Sequence, residues 1–159
     1  MLGSGAADDI KRDVAYLLSG PAFLQAVATV VNNNQDGFVP PLASLTVYQE
    51  ERLAHYTFPM CELIVYKEVF PDPDDVVKHT EVELGARWTN VARDEHTVTR
   101  YVEVLARATV DLLWGEYFRR SSASQVLVHE VDYSPLIPTA VHPFVKSAVV
   151  LFQVNTWRT

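Results

Sequence analysis

The stretch 76–91 limits the fold of this chain more than any other, because its side chains change character residue by residue. Thr80, Val82, Leu84, Ala86 and Trp88 fall on one side of an extended backbone, and His79, Glu81, Glu83, Arg87 and Thr89 on the other. Successive residues of a strand point to opposite faces, so this period of two marks a half-exposed antiparallel strand. At ~3.3 Å per residue such a strand is over about 40 Å long, and it is expected to project from the domain body as one arm of a hairpin. The other arm is 59–70, with Cys61, Leu63, Val65 and Val69 on one face and Met60, Ile64, Tyr66 and Phe70 on the other. Both faces are largely apolar, as in a strand covered on two sides. Pro71-Asp72-Pro73-Asp74-Asp75 is the loop between the arms.

A helix on each side frames the hairpin. Ile10, Val14, Leu17 and Leu18 form one apolar stripe of helical period. Ser19-Gly20-Pro21 interrupts it, because proline disfavours helix at the preceding residue and lacks a donor. A second helical piece starts there, with Phe23, Val27, Val30 and Val31 continuing the spacing. Asn32 to Gly37 and then Pro40-Pro41 end it, and residues 45–50 are a short strand candidate. After the hairpin, Asp94 is an N-cap with Glu95 in the first turn. Val98, Tyr101, Val102, Leu105, Thr109, Leu112 and Leu113 form the buried stripe of that helix. Arg100, Glu103, Arg107 and Asp111 form its solvated face, with ion pairs at i,i+4 spacing, and Arg119-Arg120 complements the dipole at its end. Residues 125–133 and 144–157 are the last strands, and Val149-Val150-Leu151-Phe152 requires the final one to be central or covered twice. Residues 1–7 are small and read as a flexible tail, without the basic start or apolar core of a signal peptide.

The order helix, three strands, helix, two strands defines a single α+β domain over 1–159. Its sheet is mostly antiparallel, of about five strands, with two helices packed on one face. Two helices cover only one face, so Met60, Ile64, Tyr66 and Phe70, or their odd-numbered alternates, are expected on a face that something outside the chain covers, most simply another copy.

Chemistry is harder to find. His55, His79, His96, His129 and His142 show no metal-ligand spacing with one another or with Cys61, the sole cysteine. His79, Glu81 and Glu83 share a strand face, which reads as an exposed polar surface. Asp72, Asp74 and Asp75 lack the turn glycine and terminal glutamate of a calcium loop, and read as an acidic turn. The six glycines form no phosphate-binding cluster, and no serine lies in a nucleophile elbow. Trp88, Trp114 and Trp157 fall in periodic elements, where core packing is expected. A net charge of −7 opposes nucleic-acid binding, and no apolar run approaches the ~20 residues of a membrane span. No catalytic, cofactor or metal site is assigned, and the chain is expected not to be an enzyme.

The opening helix, the hairpin 58–91, the amphipathic helix 94–119, the segment 126–135 and the strand ending in 152–157 together resemble the tail terminator (tail completion) proteins of long-tailed bacteriophages. Related neck proteins share this pattern. The resemblance implies a structural virion protein, assembled in the host bacterial cytoplasm, whose hexameric ring caps the tail tube. It implies as partners the tube protein and a head-closure or connector protein, with DNA passing through the ring without sequence-specific binding. Six copies at −7 sum to roughly −42, which would repel a passing duplex. The candidate assembly interface is Asp72, Asp74, Asp75, Glu81, Glu83 and Arg87 of the hairpin, with Leu136 and Ile137 of the 134–143 loop. A head-closure or adaptor protein is the first alternative. A small enzyme or ligand-binding domain using scattered residues such as His129, Glu130 and Asp132 is the second.

Overall fold

The computed structural model describes residues 6–35, 37–40, 45–51, 57–76, 78–114, 123–141 and 143–158. Helices α1 (Ala6–Leu18) and α2 (Pro21–Asn34) come first, followed by strands β1 (Thr46–Tyr48), β2 (Met60–Val69) and β3 (Lys78–Ala92). Helix α3 (Glu95–Leu113) and strands β4 (Ala123–Tyr133) and β5 (Phe144–Arg158) complete the chain. The five strands form one sheet in the order β1-β2-β3-β5-β4. The β1–β2 pair is parallel and the others are antiparallel.

The N-terminal region departs from expectation in two ways. Helix α1 begins at Ala6, inside the expected tail, and Ala7 is buried. The break at Ser19-Gly20 is complete, so three helices stand where two were expected, with α1 and α2 inclined at 58°. Pro21 occupies the first turn of α2, where its missing N–H would have had no intrahelical partner. The helix ends on Gln35 in the left-handed region, φ 56° and ψ 22°.

All three helices bury their apolar stripes against one side of the sheet. Ile10, Val14 and Leu18 of α1, Phe23, Val27 and Val30 of α2, and Tyr101, Val102 and Leu105 of α3 share one core with Val82, Leu84, Ala86 and Trp88 of β3. Trp88 is fully buried, and its ring stacks on Phe23 at 5.3 Å between centroids. Such a pair contributes ~0.5–1.5 kcal/mol beyond its area burial. The indole N–H donates to Thr109 Oγ1 at 2.8 Å, and the Thr109 hydroxyl donates to the Leu105 carbonyl at 2.8 Å. The one polar atom of the tryptophan is thereby satisfied in a dry core. Asp94 caps α3 as expected, accepting from the Thr97 amide at 2.8 Å. The surface of α3 carries the pairs Arg100–Glu103 at 2.8 Å and Arg107–Asp111 at 3.4 Å. Arg119-Arg120 lies outside the described residues. Trp114, expected in the core, is 71% exposed, because α3 turns out of its helical path there. Cys61 is buried, and its burial, with Glu62 beside it, pushes the thiol well above its ordinary pKa.

Strand β3 does not stand out as the arm of a free hairpin. It is paired from Lys78 to Ala92 with β5, from Arg158 to Phe144, so β3 lies at the centre of the sheet. The β2–β3 hairpin does run past the helices, with Tyr66 to Val69 exposed, but β5 accompanies it to the end. β5 in turn lies between β3 and β4, the central position its apolar run requires.

A register shift in β2 rearranges its two faces. Val65 pairs with Leu84 and Lys67 with Glu83, leaving Tyr66 as the extra residue of a bulge. Beyond the bulge the parity inverts. Val69 is carried to the face opposite the helices, across from Glu81, rather than lying with Cys61 and Leu63. Neither alternate set is uncovered throughout: Met60 and Ile64 are buried as Cys61 and Leu63 are, whereas Tyr66, Val69 and Phe70 are exposed.

Candidate functional site

The helices leave one sheet face to be explained, and the register assigns its residues. On β3 this face carries His79, Glu81, Glu83, Gly85 and Arg87; on β5, Val149, Leu151, Gln153 and Asn155; and on β4, Leu127, Glu130 and Asp132. A second bulge shapes it. Val128 pairs with Phe152 and Glu130 with Leu151, so His129 is the extra residue of β4. The bulges at Tyr66 and His129 lie on either side of the β3–β5 pair, and bulges re-aim side chains. Both residues line one trough of about 670 Å³ together with Glu83, Glu130, Asp132, Val149 and Leu151.

Gly85 permits this arrangement. A Cβ at this position would come within 2.7 Å of Tyr66 Cε2 and 2.9 Å of Val149 Cγ1, so the tyrosine ring lies directly over the bare backbone of β3. Burial raises the pKa of the Tyr66 phenol; the Arg87 charge opposes this, while Glu51 and Asp132 reinforce it. The trough is therefore acidic and phenolic along its rim and aliphatic at its floor.

Arg87, expected at an assembly interface, has partners within its own chain. Its Nε donates to Glu62 Oε1 at 3.1 Å and its Nη2 to Glu62 Oε2 at 3.0 Å, with Glu51 at 3.7 Å. Glu62 has no exposed surface, and the two residues oppose each other in the β2–β3 ladder. An isolated glutamate in the apolar run Met60-Cys61-Glu62-Leu63-Ile64 was the available signal that a buried cation partner had to exist.

The other expected interface residues separate into distinct places. Asp72, Asp74 and Asp75 are exposed at the hairpin turn, where the Asp72 amide donates to Asp75 Oδ2 at 3.1 Å. Glu81 lies near this end, 4.0 Å from His79, whose ring stacks on Trp157. Glu83 lines the trough. Leu136 and Ile137 are at the opposite end of the sheet, where Ile137 and Val145 exchange backbone hydrogen bonds of 3.0 and 2.8 Å. Glu83 thus joins His129, Glu130 and Asp132, which the sequence suggested as a scattered site, whereas the aspartate turn and the Leu136-Ile137 loop stand ~45 Å apart along β3. Gly85 was missed, and Tyr66 was expected only as part of an apolar face, because the bulge and the close ring–backbone approach are what place both at the trough.

A smaller cleft of about 390 Å³ lies on the helical side, between the end of α2, α3 and Tyr133, with Arg100, Glu103 and Arg107 among its walls. Burial raises the Tyr133 pKa, with Glu103 adding to the shift and Arg107 opposing it. Among the described residues no group of three or more His, Cys, Asp or Glu side chains is placed to hold a metal ion. No single described helix is long and apolar enough to cross a membrane.

No protein-family model matches the chain, and no curated protein matches it. Its fold does match solved structures, 28 chains in all. One belongs to the structure titled "Virion of native gene transfer agent (GTA) particle". That chain aligns over 98% of this one and 100% of its own length, with a TM-score of 0.52 and 11% identical residues. The two chains share an architecture from end to end.

Proposed function

We propose that this chain is a structural protein of a phage-like virion, forming a ring that caps the tail tube and joins it to the head–neck connector. The observation that carries this reading is the end-to-end likeness to a chain of a gene transfer agent virion, since the whole domain is common to both rather than a module of it. The surface supports it. Exposed apolar side chains occur at both ends of the sheet, Phe70 and Val76 beside the aspartate turn and Ile137 and Val141 beyond β4. Two different patches on one subunit suit head-to-tail contacts, which close into a ring when the rotation between neighbours allows it. Asp72, Asp74, Asp75 and Glu81 at one end and Leu136 and Ile137 at the other are the proposed contact residues, in a hexamer with a lumen for DNA.

Light scattering coupled to size exclusion, followed by particle imaging with purified tail tube present, tests the ring. A closed ring on the tube end is expected, and a monomer at every concentration with no ring on the tube overturns the reading. Binding to the portal side instead would identify a head-closure protein. Replacing Leu136 and Ile137 with Asp is expected to weaken the ring while leaving the circular dichroism spectrum intact, because the Ile137–Val145 bridge is made by backbone atoms. Unchanged ring formation removes this loop from the interface.

A further inference from the structure

The trough on the sheet face opposite the helices has a chemistry that the ring contacts do not use. Glu83, Glu130 and Asp132 surround an aliphatic floor of Val149 and Leu151. Among the described residues none of the three carboxylates forms an ion pair, and Lys67, opposite Glu83 in the ladder, forms none with it. Arg87, the other cation of this face, is held by Glu62.

We infer that this trough docks an extended, lysine- or arginine-bearing segment of a different polypeptide. Lysine and arginine lay their alkyl stems along apolar surface while the charged head reaches a polar rim, which matches Val149 and Leu151 below the carboxylates. Tyr66, packed against Gly85, lines the same space, and aromatic rings attract cations. A volume of about 670 Å³ exceeds one side chain and accommodates consecutive residues of a strand-like segment. A second copy of this chain is the poorer occupant. Each copy carries −7, so a second copy would bring a surplus of like charge to an acidic trough.

The test is fluorescence anisotropy of a labelled octapeptide of alternating Lys and Val, titrated with the full chain, beside the matched Glu–Val peptide. The Lys–Val peptide is expected to bind and the Glu–Val peptide not to. The double substitution Glu130→Gln/Asp132→Asn is expected to weaken binding about tenfold. Asp8→Asn/Asp9→Asn removes the same charge from the first turn of α1, on the helical side of the sheet, and is expected to change binding by less than about twofold, because screening removes effects beyond ~10 Å. The inference is overturned if the Lys–Val peptide fails to bind or if the α1 variant weakens it equally. It is also overturned if Glu130→Gln/Asp132→Asn abolishes self-association while peptide binding is unaffected, which would assign the face to a second copy. A ring that binds no peptide overturns this inference alone, and a peptide-binding monomer overturns only the ring.

Discussion

Removing the Arg87 guanidinium gives the sharpest test of how this sheet is held together. Glu62 is completely buried, and two hydrogen bonds of 3.1 and 3.0 Å tie it to Arg87 across β2 and β3. Breaking a fully buried ion pair by deleting one partner costs ~3–5 kcal/mol, because a charge is left without compensation. The Arg87 side chain is 30% exposed, so water reaches that side of the pair, and Arg87→Met is expected to cost about 2–3 kcal/mol. Glu62→Leu should cost less, ~1 kcal/mol, because the guanidinium keeps Glu51 at 3.7 Å and turns toward solvent. The double variant Glu62→Leu/Arg87→Met removes both charges from a site flanked by the buried Met60 and Ile64, and is expected within about 1 kcal/mol of the parent. The cycle then gives a coupling energy of ~2 kcal/mol, measured by urea unfolding at pH 7 with circular dichroism. Arg87→Met within about 0.5 kcal/mol of the parent, or a double variant that loses the sum of the singles, would refute the reasoning.

Two further perturbations probe the core and the α3 cap. Thr109→Val keeps the shape of the side chain but leaves the Trp88 indole N–H without its acceptor, for an expected loss of ~1–3 kcal/mol in urea, whereas Thr109→Ser should lose ~1 kcal/mol or less. A valine variant as stable as the parent would mean that the indole has another partner. Hydrogen bonds from the Thr97 hydroxyl and amide hold the Asp94 carboxyl below its ordinary pKa. The cap therefore stabilises fully above the unfolded value of ~3.9 and loses its effect as pH falls through the lower folded value. Asp94→Ala should accordingly lower the melting temperature at pH 7, with the gap to the parent narrowing below about pH 4. A gap independent of pH would show that the charge has no part in the cap.

Periodicity alone determined a good deal of this protein. The alternation along β3, the stripe of α3 with its Asp94 cap, and the apolar run of β5 each required one local conformation, because the burial they imply is satisfied at a single period. The α+β class and a mainly antiparallel sheet followed from their order. Neighbours decided the rest. Whether the long β2–β3 hairpin stood free depended on β5, more than fifty residues beyond the end of β3, and no local pattern records which strand will lie alongside. The bulges at Tyr66 and His129 insert one residue into a ladder, a shift visible only against the partner strand, and that shift moved Val69 to the other face. The same rearrangement drew Tyr66, Glu83, His129, Glu130 and Asp132 from three strands to one trough, while the unbroken register before the first bulge set Glu62 beside Arg87. Side-chain character was legible from the residues themselves, but which charges would meet and which would remain unmatched was set by strand register.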